Sequence, residues 1–196
     1  MKRLTNAALF ASGNGTNALN LLQTVEDGQL DLNFSILICD QKEAKVIERV
    51  KAYPIDILII SPNDYADKQA FEEKIEGYLK ANDIELLILA GYMRIFSEEF
   101  TKKYPKQIIN IHPSLLPKHP GKSGIEDAYN DNVYESGISI HYVDAGIDTG
   151  EIIDQYSVSI EDNWTLEDLE EAIHGLEYKY YPKVLQKLVG KHGKED

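Results

Sequence analysis

Asn110 and His112 stand two residues apart at the end of an apolar run, Gln107-Ile108-Ile109-Asn110-Ile111, that leads straight into "HPSLLPKHPG". Spacing of two on a strand puts both side chains on one face. Prolines 113, 117 and 120 exclude a regular helix and cannot donate to a central ladder, so a stiff loop follows the strand. A second polar cluster, "HYVDAGIDTGEII" (141–153), carries Asp144 and Asp148 around a glycine-containing turn. Each feature alone has a plain alternative. Asn110 can end a strand, His112 can be a satisfied surface histidine, and the aspartates can belong to a solvated hairpin. Taken together, an amide, an imidazole and a carboxylate at strand ends suit acyl-type transfer through a tetrahedral intermediate. The amide donates to the developing oxyanion, the imidazole stabilises charge or moves protons, and the carboxylate orients the imidazole.

A third feature, "ASGNGTN" (11–17), joins an apolar strand to a helix. Glycines let backbone N–H groups converge, and the helix N-terminus adds positive potential, a geometry that binds phosphate. The pattern is neither a dinucleotide fingerprint nor a Walker loop. A tight turn with no ligand remains the alternative.

These residues need elements to hold them. Strands are expected at 5–11, 33–40, 56–61, 84–92 and 107–111, alternating with helices at 16–28, 44–53, 64–83 and 97–104. That rhythm predicts an α/β fold with a doubly wound, mostly parallel sheet flanked by helices. A helix at 124–131, strands at 137–144 and 150–160, and a long C-terminal helix at 165–190 complete the chain. Thr165 is its N-cap, and Pro182 kinks or divides it. No repeat or linker composition interrupts the 196 residues, so one domain over 1–196 is expected.

With 20 Lys and Arg against 33 Asp and Glu, the net charge is −13. Such a surface repels phosphate backbones, which excludes nucleic acid as a partner. No apolar run reaches membrane-span length. Cys39 is the only cysteine, so no internal disulfide forms, and no metal-ligand spacing is present. A cytoplasmic location is the expectation.

The four stretches "SGNGTN", "LAGYMRIF" (89–96), "NIHPSLLPKHPG" (110–121) and "SIHYVDAGIDTGEIIDQ" (139–155) resemble, in order and spacing, the folate-dependent formyltransferases. The SGNG-type loop points to their phosphoribosylglycinamide branch. The resemblance implies a single Rossmann-like formyltransferase domain whose N-terminal half binds phosphate and whose C-terminal half binds folate. It implies 10-formyltetrahydrofolate as formyl donor and 5'-phosphoribosylglycinamide (GAR) as acceptor in purine synthesis, with no metal, in a monomer or homodimer. It carries over Asn110, His112 and Asp148 as the catalytic trio. Gly13, Asn14, Gly15 and Thr16 would hold the acceptor's phosphate, and Glu177 its ribose. The folate would lie along Met93, Arg94, Ile95 and Phe96, touching Asn110, with its pterin against Asp144, Ala145, Gly146, Ile147 and Asp148. Lys68 would stand near its acidic tail, where an Arg occurs in some relatives. His119 and His141 are expected to be structural, and His174 to face the substrate side.

Two related activities compete. A methionyl-tRNA formyltransferase needs positive surface and an added RNA-binding domain, which the charge of −13 disfavours. A formyltetrahydrofolate hydrolase shares the Asn-His-Asp trio and usually carries an N-terminal regulatory domain. A folate- or phosphosugar-binding protein without activity is the remaining alternative, against which the intact trio argues.

Overall fold

Seven strands form one sheet in the order β3-β2-β1-β4-β5-β6-β7 in a computed structural model that describes residues 3–192. The strands are β1 (Thr5–Ala11), β2 (Leu32–Cys39), β3 (Asp56–Ile59), β4 (Leu86–Leu89), β5 (Ile108–His112), β6 (Glu135–Tyr142) and β7 (Ile152–Ser159). The first five pair in parallel, β6 adds antiparallel to β5, and β7 antiparallel to β6. The sheet is thus mostly parallel, as the alternation of elements predicts.

The central parallel strands are largely apolar because both faces are covered. Ala7, Leu9 and Ala11 of β1 face one core; Ala8 and Phe10 face the other. The first core is closed by α1 (Thr16–Glu26), α2 (Lys45–Val50) and α6 (Leu166–His192), through Leu21, Val46, Ile173 and Leu185. The second is closed by α3 (Lys68–Ala81) and α4 (Glu98–Lys103), through Phe71, Ile75 and Phe100. A further helix, α5 (Gly124–Asn130), follows the proline loop.

Most elements fall within a few residues of the expected ranges, and two departures have a local cause. Helix α3 begins at Lys68, not at 64, because Pro62–Asp64 forms a separate 3-10 turn. Asp67 then caps the helix by accepting from Ala70 N at 2.8 Å. Helix α6 is continuous over 27 residues across Pro182. A proline removes the hydrogen bond to the carbonyl four residues back, here Tyr178. Asn20 of α1 replaces it, its Nδ2 donating to the Tyr178 carbonyl at 3.0 Å. The same bond docks α1 on α6. Asn20→Ala is therefore expected to cost about 1–3 kcal/mol, by orphaning a part-buried carbonyl, read as a lower urea midpoint at unchanged slope. The start of α6 is as expected. Thr165 Oγ1 accepts from Asp168 N, and Asp168 accepts in return from Thr165 N at 2.7 Å, a reciprocal cap.

In a sheet of this order, the chain leaves β1 toward β2 and β3 on one side and β4 toward β5 on the other. The carboxyl ends of β1 and β4 therefore flank the crevice where such sheets take ligands.

Candidate functional site

A cavity of about 500 Å³ opens at that crevice. Its walls come from the turn after β1, the segment after β4, the end of β5, the 143–148 turn, and α6. Sequence-predicted residues Gly13, Asn14, Gly15, Thr16, Met93, Arg94, Ile95, Phe96, Asn110, His112, Asp144, Gly146, Ile147, Asp148 and Glu177 all line it. Lys68 and Ala145 are not among the lining residues. Lys68 stands on α3 with its Nζ 4.0 Å from Glu72.

His112 is the last residue of β5 and is buried. Its Nε2 lies 2.8 Å from the carbonyl of His119. A carbonyl only accepts, so Nε2 carries a proton. Nδ1 is left as the nitrogen that exchanges one, and it lies 3.4 Å from Asp148 Oδ2. The proline loop thereby sets the working face of the imidazole. Ser114 steadies the loop by donating to the carbonyls of Lys118 and His119 at 2.6 and 3.1 Å. Leu116–Pro117 is a cis peptide.

His141 corrects one expectation. It belongs to the site, because the antiparallel register of β5 and β6 pairs it with Asn110. Its Nδ1 donates to the Tyr142 carbonyl at 2.9 Å. Its Nε2 lies 3.2 Å from Asn110 Nδ2 and 3.6 Å from Asp148 Oδ1. The contact between the His141 ring and the Asn110 amide fixes the orientation of that amide, and both residues line the cavity. His119, by contrast, is structural as expected, its ring pairing with Asp131 at 3.0 Å.

Asp148 sits in left-handed backbone (φ 52°) in the turn between β6 and β7. Gly121 N–H donates to its Oδ2 at 2.8 Å. Burial alone would push its carboxyl up. The adjacent His141, the Gly121 N–H and the positive end of His112 outweigh that and hold it below the usual carboxylate range. Asp144 is occupied within its own turn, accepting from Gly146 N and Thr149 Oγ1.

At the other end of the cavity, Glu177 is buried and accepts at one oxygen from Asn17 Nδ2 and His174 Nδ1, both at 2.9 Å. The Glu177 carboxylate, against the opposing effect of burial, raises the His174 pKa. His174 lines the cavity as expected. Asn17 was not foreseen, although it follows the glycine loop directly and occupies the first turn of α1.

The glycine loop is held by packing. Gly15 has φ 71°, and a Cβ there would fall 2.2 Å from Val46 Cγ2 on α2; at Gly13 a Cβ meets nothing within 4 Å. Gly15→Ala is therefore expected to lower stability by about 1–3 kcal/mol, because a strained φ is added to a clash, while Gly13→Ala leaves the melting temperature unchanged.

The segment after β4 is tied down from two sides. Met93 N donates to Ser12 Oγ at 2.9 Å, and Arg94 Nε donates to buried Asp40 Oδ2 at 2.7 Å. Burial opposes ionisation of Asp40, but hydrogen bonds from Ser12, Arg94 and Gln41 prevail and lower its pKa. Phe96 is nearly buried and stacks on Phe100 at 4.4 Å, so it anchors the segment from the core. Met93, Ile95 and Ile147 are half-exposed apolar side chains at the cavity mouth.

Among the described residues, no group of three or more His, Cys, Asp and Glu could hold a metal ion, and no helix is long and apolar enough to cross a membrane.

A family model described as formyl transferase matches residues 5–185. The chain is 43% identical to the phosphoribosylglycinamide formyltransferase of Bacillus subtilis (strain 168), over 93% of this chain and 94% of that protein. A crystal structure of phosphoribosylglycinamide formyltransferase from Bacillus halodurans superposes with a TM-score of 0.92 at 45% identity, covering 96% of this chain and 97% of that one. The trifunctional purine biosynthetic protein adenosine-3 of Chironomus tentans is 36% identical over 91% of this chain, which spans 13% of that longer protein.

Proposed function

The chain belongs to the formyl transferase family, and from that premise we propose that it moves the formyl group of 10-formyltetrahydrofolate onto the amine of GAR, a cytoplasmic step of purine synthesis. The observation that carries this reading is the cluster of Asn110, His112, His141 and Asp148 at the crevice. The likeness over nearly full length to a phosphoribosylglycinamide formyltransferase supports the choice of substrates.

The acceptor's phosphate rests on the backbone N–H groups of the Gly13–Thr16 turn and the start of α1. Glu177, whose second oxygen has no donor among the described residues, takes the ribose hydroxyls. The donor lies along Met93–Phe96, with its pterin against the 144–148 turn. The acceptor amine attacks the formyl carbon, a C–N bond forms, and the carbonyl electron pair moves onto oxygen. Asn110 Nδ2 and His112 Nδ1 are the donors for that oxyanion. Asp148 accepts the proton of the new ammonium, directly or through a held water. The intermediate collapses, the bond to the folate nitrogen breaks, and that nitrogen takes a proton from His112.

The absorbance of the deformylated folate, followed with and without GAR, tests the reading. Product is expected only when both substrates are present. Equal product without GAR would make the chain a hydrolase, and transfer to initiator tRNA in place of GAR would move it to that branch. Gly13→Ala adds a methyl to the proposed phosphate turn at a position that lines the cavity and meets no protein atom within 4 Å, and is expected to raise the KM for GAR and leave that for the donor unchanged.

A further inference from the structure

Among the described residues, two side chains of permanent positive charge line the cavity, Arg94 and Lys122. Arg94 is committed to Asp40 at 2.7 Å. Lys122 is exposed, and its side chain makes no hydrogen bond or ion pair with any described residue. Lys68, the lysine expected from sequence to meet the donor's acidic tail, stands off the cavity wall beside Glu72.

The position of Lys122 follows from its neighbour. Gly121 N–H is held 2.8 Å from Asp148 Oδ2, and one residue, about 3.8 Å of backbone, separates Lys122 from it. The backbone at Lys122 therefore lies close to Asp148, on the loop joining β5 to α5, and the residue lines the cavity. The proposed acceptor contacts come from other elements, the β1–α1 turn and α6. In a chain of net charge −13, an unpaired ammonium on a cavity wall concentrates anions locally. Its compact charge on a flexible stem suits a carboxylate held at a range of angles.

Resting on the donor assignment above, we propose that Lys122 binds a carboxylate of the donor's glutamate tail. The donor's reacting nitrogen must lie beside Asn110, His112 and Asp148. One aminobenzoyl ring separates that nitrogen from the glutamate. The carboxylates thus emerge a ring-length from Asp148, at the cavity mouth, where the Lys122 stem reaches.

The test crosses a variant with a truncated ligand. Lys122→Gln and wild type are assayed with 10-formyltetrahydrofolate and with 10-formyltetrahydropteroate, which lacks the glutamate. The KM for the glutamate-bearing donor is expected to rise about two- to fivefold, the scale of an exposed ion pair. The effect shrinks at high salt. The KM for the truncated donor, the KM for GAR and kcat stay within error. An equal change with both donors, or no change with either, overturns the proposal. A rise confined to GAR would assign Lys122 to the acceptor's phosphate instead. Lys68→Gln is expected to leave the ratio of donor KM values untouched, and a shift there in place of Lys122 also overturns it. Equilibrium dialysis of the two donors reads the same contrast without turnover. An enzyme inactive with both donors would then refute the transfer reading while the dialysis still decides the Lys122 contact.

Discussion

Asp148→Asn is expected to lower kcat by about two to four orders of magnitude, the range of general acid–base contributions, with little change in fold or in either KM. The substitution suits the site structurally. Asn tolerates the left-handed backbone at φ 52° better than most residues, and its amide oxygen can still accept from Gly121 N–H. It removes the charge 3.4 Å from His112 Nδ1 and the acceptor for the ammonium proton. Steady-state kinetics with circular dichroism as a control decide the outcome, and wild-type turnover would remove Asp148 from the mechanism. The pH dependence follows from the sign of its shift. A carboxyl held below its usual range is ionised throughout neutral pH, so any acid limb it causes lies below about pH 3.9. Its depressed folded-state pKa also contributes stability that is present above the unfolded value and lost as pH falls through the folded one.

His112→Ala is expected to have the second large effect, a loss of about two to four orders of magnitude in single-turnover rate, while GAR still binds through the glycine loop. The variant removes the oxyanion donor and the proton source together. It also deprives the His119 carbonyl of its nearer partner, leaving Ser114 at 3.1 Å. A stability loss of about 1–3 kcal/mol accompanies it. Calorimetric binding of GAR separates the two consequences. A rate within about tenfold of wild type, under about 1.4 kcal/mol of barrier, would deny His112 its role.

The alternation of strands and helices was legible in the sequence because buried parallel strands are apolar on both faces, and the helices between them end at glycine, proline or capping residues. Asn110 and His112 could be placed together because a strand's period is local. His141 could not, because its neighbourhood depends on the register of two strands whose paired residues are 31 apart in sequence. The antiparallel turn of β6 against β5 sets that register, and no local pattern encodes it. Asp40 and Arg94 illustrate the same limit. They stand 54 apart in sequence, and only the parallel order of β2, β1 and β4 brings them together. The continuity of α6 across Pro182 likewise depends on Asn20, far away in the chain.

The central claim is that the formyl carbon passes to the amine of GAR. Its most direct test combines donor labelled with carbon-13 at the formyl group and GAR labelled with nitrogen-15 at the amine, followed by carbon NMR. The expected result is a formyl resonance split by one-bond coupling to nitrogen-15, growing as the donor signal falls, with no free formate. Label that accumulates as formate, or a formyl carbon without that coupling, would contradict it.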